Sequence, residues 1–117
     1  VARLLHSIIG GVAVSSERSQ KMMKLLKRSL NPADFVDCDG ENQITGFLGE
    51  SLPANAQIWS KAGWMSRVRH DAAYIEIPGL PPYLLTVFTE GKENAQNKSI
   101  LPFISQSVIE ALVSFVE

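Results

Sequence analysis

The chain has 117 residues, 45% of them hydrophobic and 20% charged, which fits one globular domain and excludes disordered, collagen-like and coiled-coil organisation. Eleven Lys and Arg against twelve Asp and Glu leave a formal charge of −1, so no overall basic field recruits nucleic acid or an anionic membrane, and anion recognition has to be local. The single cysteine, Cys38, excludes an internal disulfide and a cysteine-rich zinc cage, and no apolar run approaches the roughly 20 residues that a membrane-spanning helix needs.

The chain opens on a helical stripe, Leu4, Leu5, Ile8 and Ile9, with no capping residue before it, and this uncapped start predicts that residue 1 lies in mid-domain. Gly10 and Gly11 stop this helix. Ser15 or Ser16 caps the next, whose stripe is Met22, Leu25, Leu26 and Leu30, and Asn31-Pro32 ends it. Lys24, Lys27 and Arg28 gather toward its C-terminal end, where cations suit the helix dipole, and read as a solvated face. From Ala33 to Pro53 the composition is that of a loop with one short turn, with Ile44, Phe47 and Leu48 scattered through it. Within it, Asp37-Cys38-Asp39-Gly40 suggests a calcium loop, but a glycine at the sixth position would put Phe35 at the first ligand position and Gly46 at the last, so an acidic turn is expected instead.

Three strands are predicted at Gln57 to Lys61, Asp71 to Ile77 and Tyr83 to Thr89. Pro78-Gly79-Leu80-Pro81-Pro82 is too short for a crossover, so the last two strands must be antiparallel neighbours. The nearly continuous apolar run from Tyr83 to Phe88 predicts a strand covered on both faces. A C-terminal helix from about Ser99 to Val116 follows from Ile100, Ile104, Val108, Leu112 and Phe115, with Pro102 tolerated in the first turn because its missing N–H has no intrahelical acceptor there.

The feature with the most chemistry in it is Ser60-Lys61-Ala62-Gly63-Trp64 at a strand end, followed by Arg67, Arg69 and His70. A lysine beside a small residue and a glycine lets a ligand approach the strand backbone closely with an ammonium group alongside, which suits a carboxylate. His6 reads as a packed or surface residue and Trp59 as a packing residue of the sheet. Glu76 and Glu90 have no evident partner, which leaves a paired-carboxylate hydrolase without support.

The order of these elements resembles the C-terminal part of class A β-lactamases and related serine penicillin-recognising proteins, whose signature is Lys-Thr-Gly or Lys-Ser-Gly on a strand lining the active site. Here Lys61-Ala62-Gly63 stands in that place, and Asp71-Ala72-Ala73-Tyr74-Ile75 and Leu85-Thr86-Val87-Phe88-Thr89-Glu90-Gly91 are similar to the next two strands. The resemblance runs from Leu4 to Phe115. It implies an α/β (α+β) fold, an antiparallel sheet flanked by helices and β-lactamase-like, incomplete in this chain, with residues 1–117 forming the C-terminal portion of a single catalytic domain.

By that resemblance Lys61 would bind the substrate carboxylate and set the electrostatics at the nucleophile, and the Trp64 backbone N–H would contribute to an oxyanion hole. Ala62 and Gly63 would line the substrate site, and Arg69 or His70 would supply a second cation. Ala62 departs from the family pattern, since it lacks the Thr or Ser hydroxyl that bonds the carboxylate. No Ser-x-x-Lys occurs in the sequence, so the nucleophile is expected from outside these residues. The implied activity is acyl transfer on an amide or ester, with a β-lactam or another small-molecule or peptide substrate bearing a carboxylate, no metal or organic cofactor, the missing N-terminal portion of the domain as partner, and an exported location. The alternatives are a catalytically inactive β-lactamase-like module that binds a carboxylate ligand, and an interaction protein whose sheet docks a partner.

Overall fold

The computed structural model describes residues 1–35 and 42–117, so Asp37, Cys38, Asp39 and Gly40 lie outside the described residues. Helix α1 spans Ala2–Ile9 and buries Leu5 and Ile8. Its end is closed by Gly10 N–H on His6 O, after which Gly11 takes the positive φ of 76° that turns the chain. Helix α2, Ser16–Leu26, is capped by Ser15, whose Oγ accepts from Arg18 N at 3.1 Å. The fully buried Ser19 locks the connection, because its Oγ donates to Ala13 O and accepts from Ala13 N, both at 3.0 Å.

α2 ends at Leu26, short of the predicted Leu30, and Leu25 is 78% exposed. The chain instead extends as β1, Lys27–Arg28, which pairs with β2, Gln57–Met65. Tertiary contacts override helix propensity here. The Arg28 guanidinium donates to Ser60 O through Nη2 at 2.8 Å and Nε at 3.1 Å, and Lys27 Nζ lies 4.0 Å from the centre of the Trp59 ring.

The sheet runs β1-β2-β3-β4 in order, with every neighbouring pair antiparallel, and β3 spans Val68–Glu76 and β4 Tyr83–Glu90. The predicted first strand was too short: β2 continues through Ala62 and Gly63 to Met65 and joins β3 by a tight turn at Ser66-Arg67, with Met65 opposite Val68. Lys61 therefore sits in mid-strand and not at a strand end. β4 is the outer strand, its residues half-buried and Phe88 61% exposed, so the expectation of cover on both faces fails within this chain.

Side chains of a strand alternate between faces. Ile58 and Ala62 of β2, with Ala73 and Ile75 of β3, face a core completed by Ile44, Phe47, Leu48 and Leu101. Phe47 and Leu48 are fully buried, so the segment read as loop with one short turn supplies the centre of the core, through a 3₁₀ turn at Leu48–Ser51. A second 3₁₀ turn occupies Pro32–Asp34. Leu84 of β4, on the opposite face, borders a cavity together with Ala2, His6 and Ser7 of α1.

A short helix α3, Lys92–Gln96, precedes the long α4, Ile100–Val116. α4 packs on a line rotated from the predicted stripe: Leu101 and Ser105 are buried and Ile109 packs on the core, whereas Ile104 and Val108 are half-buried and Phe115 is 83% exposed. Two hydrogen bonds set this rotation, Ser105 Oγ to Leu48 O at 2.7 Å and Ser51 Oγ to Pro102 O at 2.6 Å. Periodicity could not choose the face, because α4 is apolar over most of its circumference.

Candidate active-site edge

The alternation that buries Ala62 puts Lys61 and Gly63 on the opposite face of the sheet. Lys61 is exposed, and its Nζ donates to Ala62 O. A Cβ built on Gly63 would meet no atom within 4 Å, so the backbone there is open to close approach. His70 stands directly across from Gly63 and on the same face, diagonal to Lys61. Its Nδ1 accepts from Thr89 N at 3.1 Å and its ring meets Phe88 edge-on at 4.9 Å, which leaves Nε2 as the group able to donate to a ligand.

Arg69 lies on the other face. Only 3% exposed, it stacks its guanidinium 4.4 Å from the centre of the Phe47 ring and donates from Nε to Ala95 O at 3.1 Å and from Nη1 to Gly46 O at 3.4 Å. Of the two expected cations, His70 shares a face with Lys61, while Arg69 ties three segments together from within. Trp64 sits opposite Arg69 with its indole 5.5 Å from Phe47, 39% exposed. Ala62 is 2% exposed in the core cluster, so its side chain faces the interior and only its peptide groups reach the strand edge.

Those peptide groups define the edge. In β2 the N–H and C=O of Ile58, Ser60, Ala62 and Trp64 point away from β3. β1 covers the edge at Ile58, Arg28 covers Ser60 O, Gln43 Oε1 accepts from Ala62 N at 2.9 Å, and Lys61 Nζ covers Ala62 O. The Trp64 N–H and C=O form the next outward pair, and no hydrogen bond joins them to a described residue.

Beneath this edge lies Asp71, opposite Ala62 and 1% exposed. Its Oδ2 accepts from Leu48 N at 3.1 Å while Oδ1 has no hydrogen-bond partner among the described residues. Burial pushes its pKa up from 3.8 to about 6, against the pull of the Leu48 N–H bond, of the neighbouring Ala72 N–H and of the Arg28 and Lys61 charges. Sequence reasoning placed Asp71 in a strand without a role. The signal was available, since an acidic residue beside Ala72 and Ala73 on a two-sided strand has to be satisfied internally. Gln43 was missed altogether, and a lone glutamine in a polar loop gave no signal.

The remaining polar groups lie elsewhere. Trp59 and Tyr74 meet at 5.3 Å beneath Lys27, and the Tyr74 hydroxyl donates to Glu76 at 3.0 Å, so Glu76 has a partner after all. A cavity of about 400 Å3, bordered by Asn55, Gln57 and Glu76, lies at the far end of β2 and β3 from Lys61.

Four antiparallel strands with helices on both faces are the architecture that the resemblance implies, and solved structures share it. The chain is similar to PBP-A (20% identity, TM-score 0.72, covering 97% of this chain and 38% of that one). It is similar also to the β-lactamase of Sphaerobacter thermophilus (21%, 0.67, 92% and 37%) and to that of Francisella tularensis (16%, 0.71, 95% and 39%). The chain thus spans about two fifths of the length of each. Residues 1–112 match the beta-lactamase enzyme family, and the chain belongs to it. No curated protein matches the sequence.

Proposed function

We propose that this chain supplies the substrate-holding edge of a β-lactamase-type serine hydrolase, as the C-terminal portion of one catalytic domain, with the nucleophile contributed from outside these residues. The observation that carries this reading is the uncapped Trp64 peptide at the end of an otherwise covered strand edge, beside the open backbone at Gly63 with Lys61 and His70 on one face. A serine hydroxyl attacking an amide or ester carbonyl passes its proton to a base. The carbonyl oxygen becomes an oxyanion, and the Trp64 N–H donates to it. The leaving amine or alcohol takes up a proton, and water then cleaves the acyl ester to release the acid and restore the serine. Lys61 provides the charge that holds a substrate carboxylate, and His70 Nε2 provides a further donor.

Family membership supports the reaction class, and a single-substitution mutant of PBP-A has been captured as an acyl-enzyme complex with penicillin G. The partner reading draws on β4, whose outer edge pairs with no strand among the described residues, and on Phe88, Phe103 and Phe115, all exposed by more than 60%. Such an edge and such patches require cover. The test is intact mass spectrometry with penicillin G. The full-length protein should gain one acyl group at a serine outside residues 1–117, and the 117 residues alone should gain none. A full-length protein that binds carboxylate ligands without any adduct would establish the binding-module alternative instead, and stoichiometric labelling at a serine of this chain would overturn the division of roles.

A further inference from the structure

The covered part of the β2 edge carries a side-chain contact from a loop 19 positions earlier in the chain. Gln43 reaches across from the loop before Phe47, and its side-chain oxygen accepts from Ala62 N at 2.9 Å. A backbone N–H can only donate, so it fixes which way the amide faces: Oε1 toward Ala62 and the NH2 group away from it. Nε2 donates to no described residue, and Gln43 as a whole is half-buried. A neutral donor with its orientation set by the strand therefore sits two residues along the edge from Trp64, about 7 Å by strand geometry. Lys61 adds its ammonium beside it through Ala62 O. The Ala62 side chain is enclosed in the core and brings no polar atom to the edge.

From this geometry we infer that Gln43 is a specificity-determining residue that presents its amide NH2, next to the Lys61 ammonium, to the carboxylate of a ligand whose carbonyl lies at the Trp64 N–H. The inference rests on the proposed function and adds the donor that selects for the anion. A carboxylate accepts at two oxygens, one for the ammonium and one for the amide, whereas an ester in the same place loses the charge and keeps a weak acceptor. Because the amide is already held by Ala62, little side-chain freedom is lost when the ligand binds.

The experiment compares acylation of the full-length protein by penicillin G and by its methyl ester, read as kcat/KM from the rate of adduct formation. Gln43→Glu keeps an acceptor for Ala62 N–H and replaces the donor with a negative charge. It should cut kcat/KM for penicillin G by tenfold or more and leave the ester within threefold of the parent. Gln43→Met, of similar size, removes both functions and should lower the preference for the acid over the ester about fivefold, which covers the case in which the Glu variant fails to fold. If Lys61→Ala lowers the acid preference while neither Gln43 variant does, the Gln43 assignment is wrong and the proposed function stands. If none of the three changes the acid preference, the carboxylate reading of the edge fails with it.

Discussion

Replacing Asp71 with asparagine should stabilise the folded protein at neutral pH, although the residue is buried and hydrogen-bonded. In the folded chain its carboxyl titrates at about 6, raised by burial from 3.8, so the native state binds this proton more tightly than the unfolded state. The sign follows from linkage: between pH 4 and 6 the native state holds more protons, and stability falls as pH rises through this window. At about 1.4 kcal/mol per tenfold in proton affinity, the charged form costs about 3 kcal/mol of stability at pH 7. Asparagine keeps an acceptor for Leu48 N and removes the charge. It also places an NH2 where Oδ1 has no partner among the described residues, which costs about 1–3 kcal/mol. The net expectation is a gain of up to about 2 kcal/mol at pH 7.5 that turns into a loss at pH 4.5, where the native aspartic acid is already neutral. Asp71→Ala orphans the buried Leu48 N–H and should be less stable than Asp71→Asn at pH 7.5. Urea denaturation of the full-length protein and both variants at pH 4.5 and 7.5 measures this. A stability difference between parent and Asp71→Asn that does not change with pH would refute the reasoning.

Further tests address the rest of the framework. Lys61→Ala should weaken a carboxylate inhibitor by about 10–100-fold, the worth of a charge-assisted hydrogen bond, with no change in melting temperature because Lys61 is exposed; isothermal titration and a thermal melt read the two separately. Phe47→Ala should cost about 3–5 kcal/mol in chemical denaturation, since the fully buried ring supports Trp64 on one side and the Arg69 guanidinium on the other. Gly46→Ala should cost about 1–2 kcal/mol in the same assay: its φ is +79°, and a Cβ would stand 3.1 Å from the Lys98 side chain and 3.2 Å from Arg69 Nη1.

The sequence by itself determined the local elements and the family. Ser15 or Ser16 had to cap α2, Pro78 to Pro82 forced antiparallel neighbours, and Lys61-Ala62-Gly63 within an ordered run of strands carried the resemblance that the match over residues 1–112 bears out. These are short-range matters, set by backbone conformation, capping and strand alternation, and a linear pattern records them. What only the tertiary structure decided depends on atoms far apart in the chain. α2 gave way to β1 because Ser60 O lay within reach of Arg28, 32 positions earlier. α4 turned its Leu101–Ser105 line inward because Leu48 O accepts from Ser105, 57 positions away. Phe47 and Leu48 became the core although their neighbours read as loop. Arg69 and His70, adjacent in sequence and interchangeable there, were separated by the parity of β3 against β2, one to the interior and one to the face of Lys61. Gln43 reached the Ala62 N–H from 19 positions away, a contact that no spacing rule anticipates because it depends on how a loop and a strand edge meet in space.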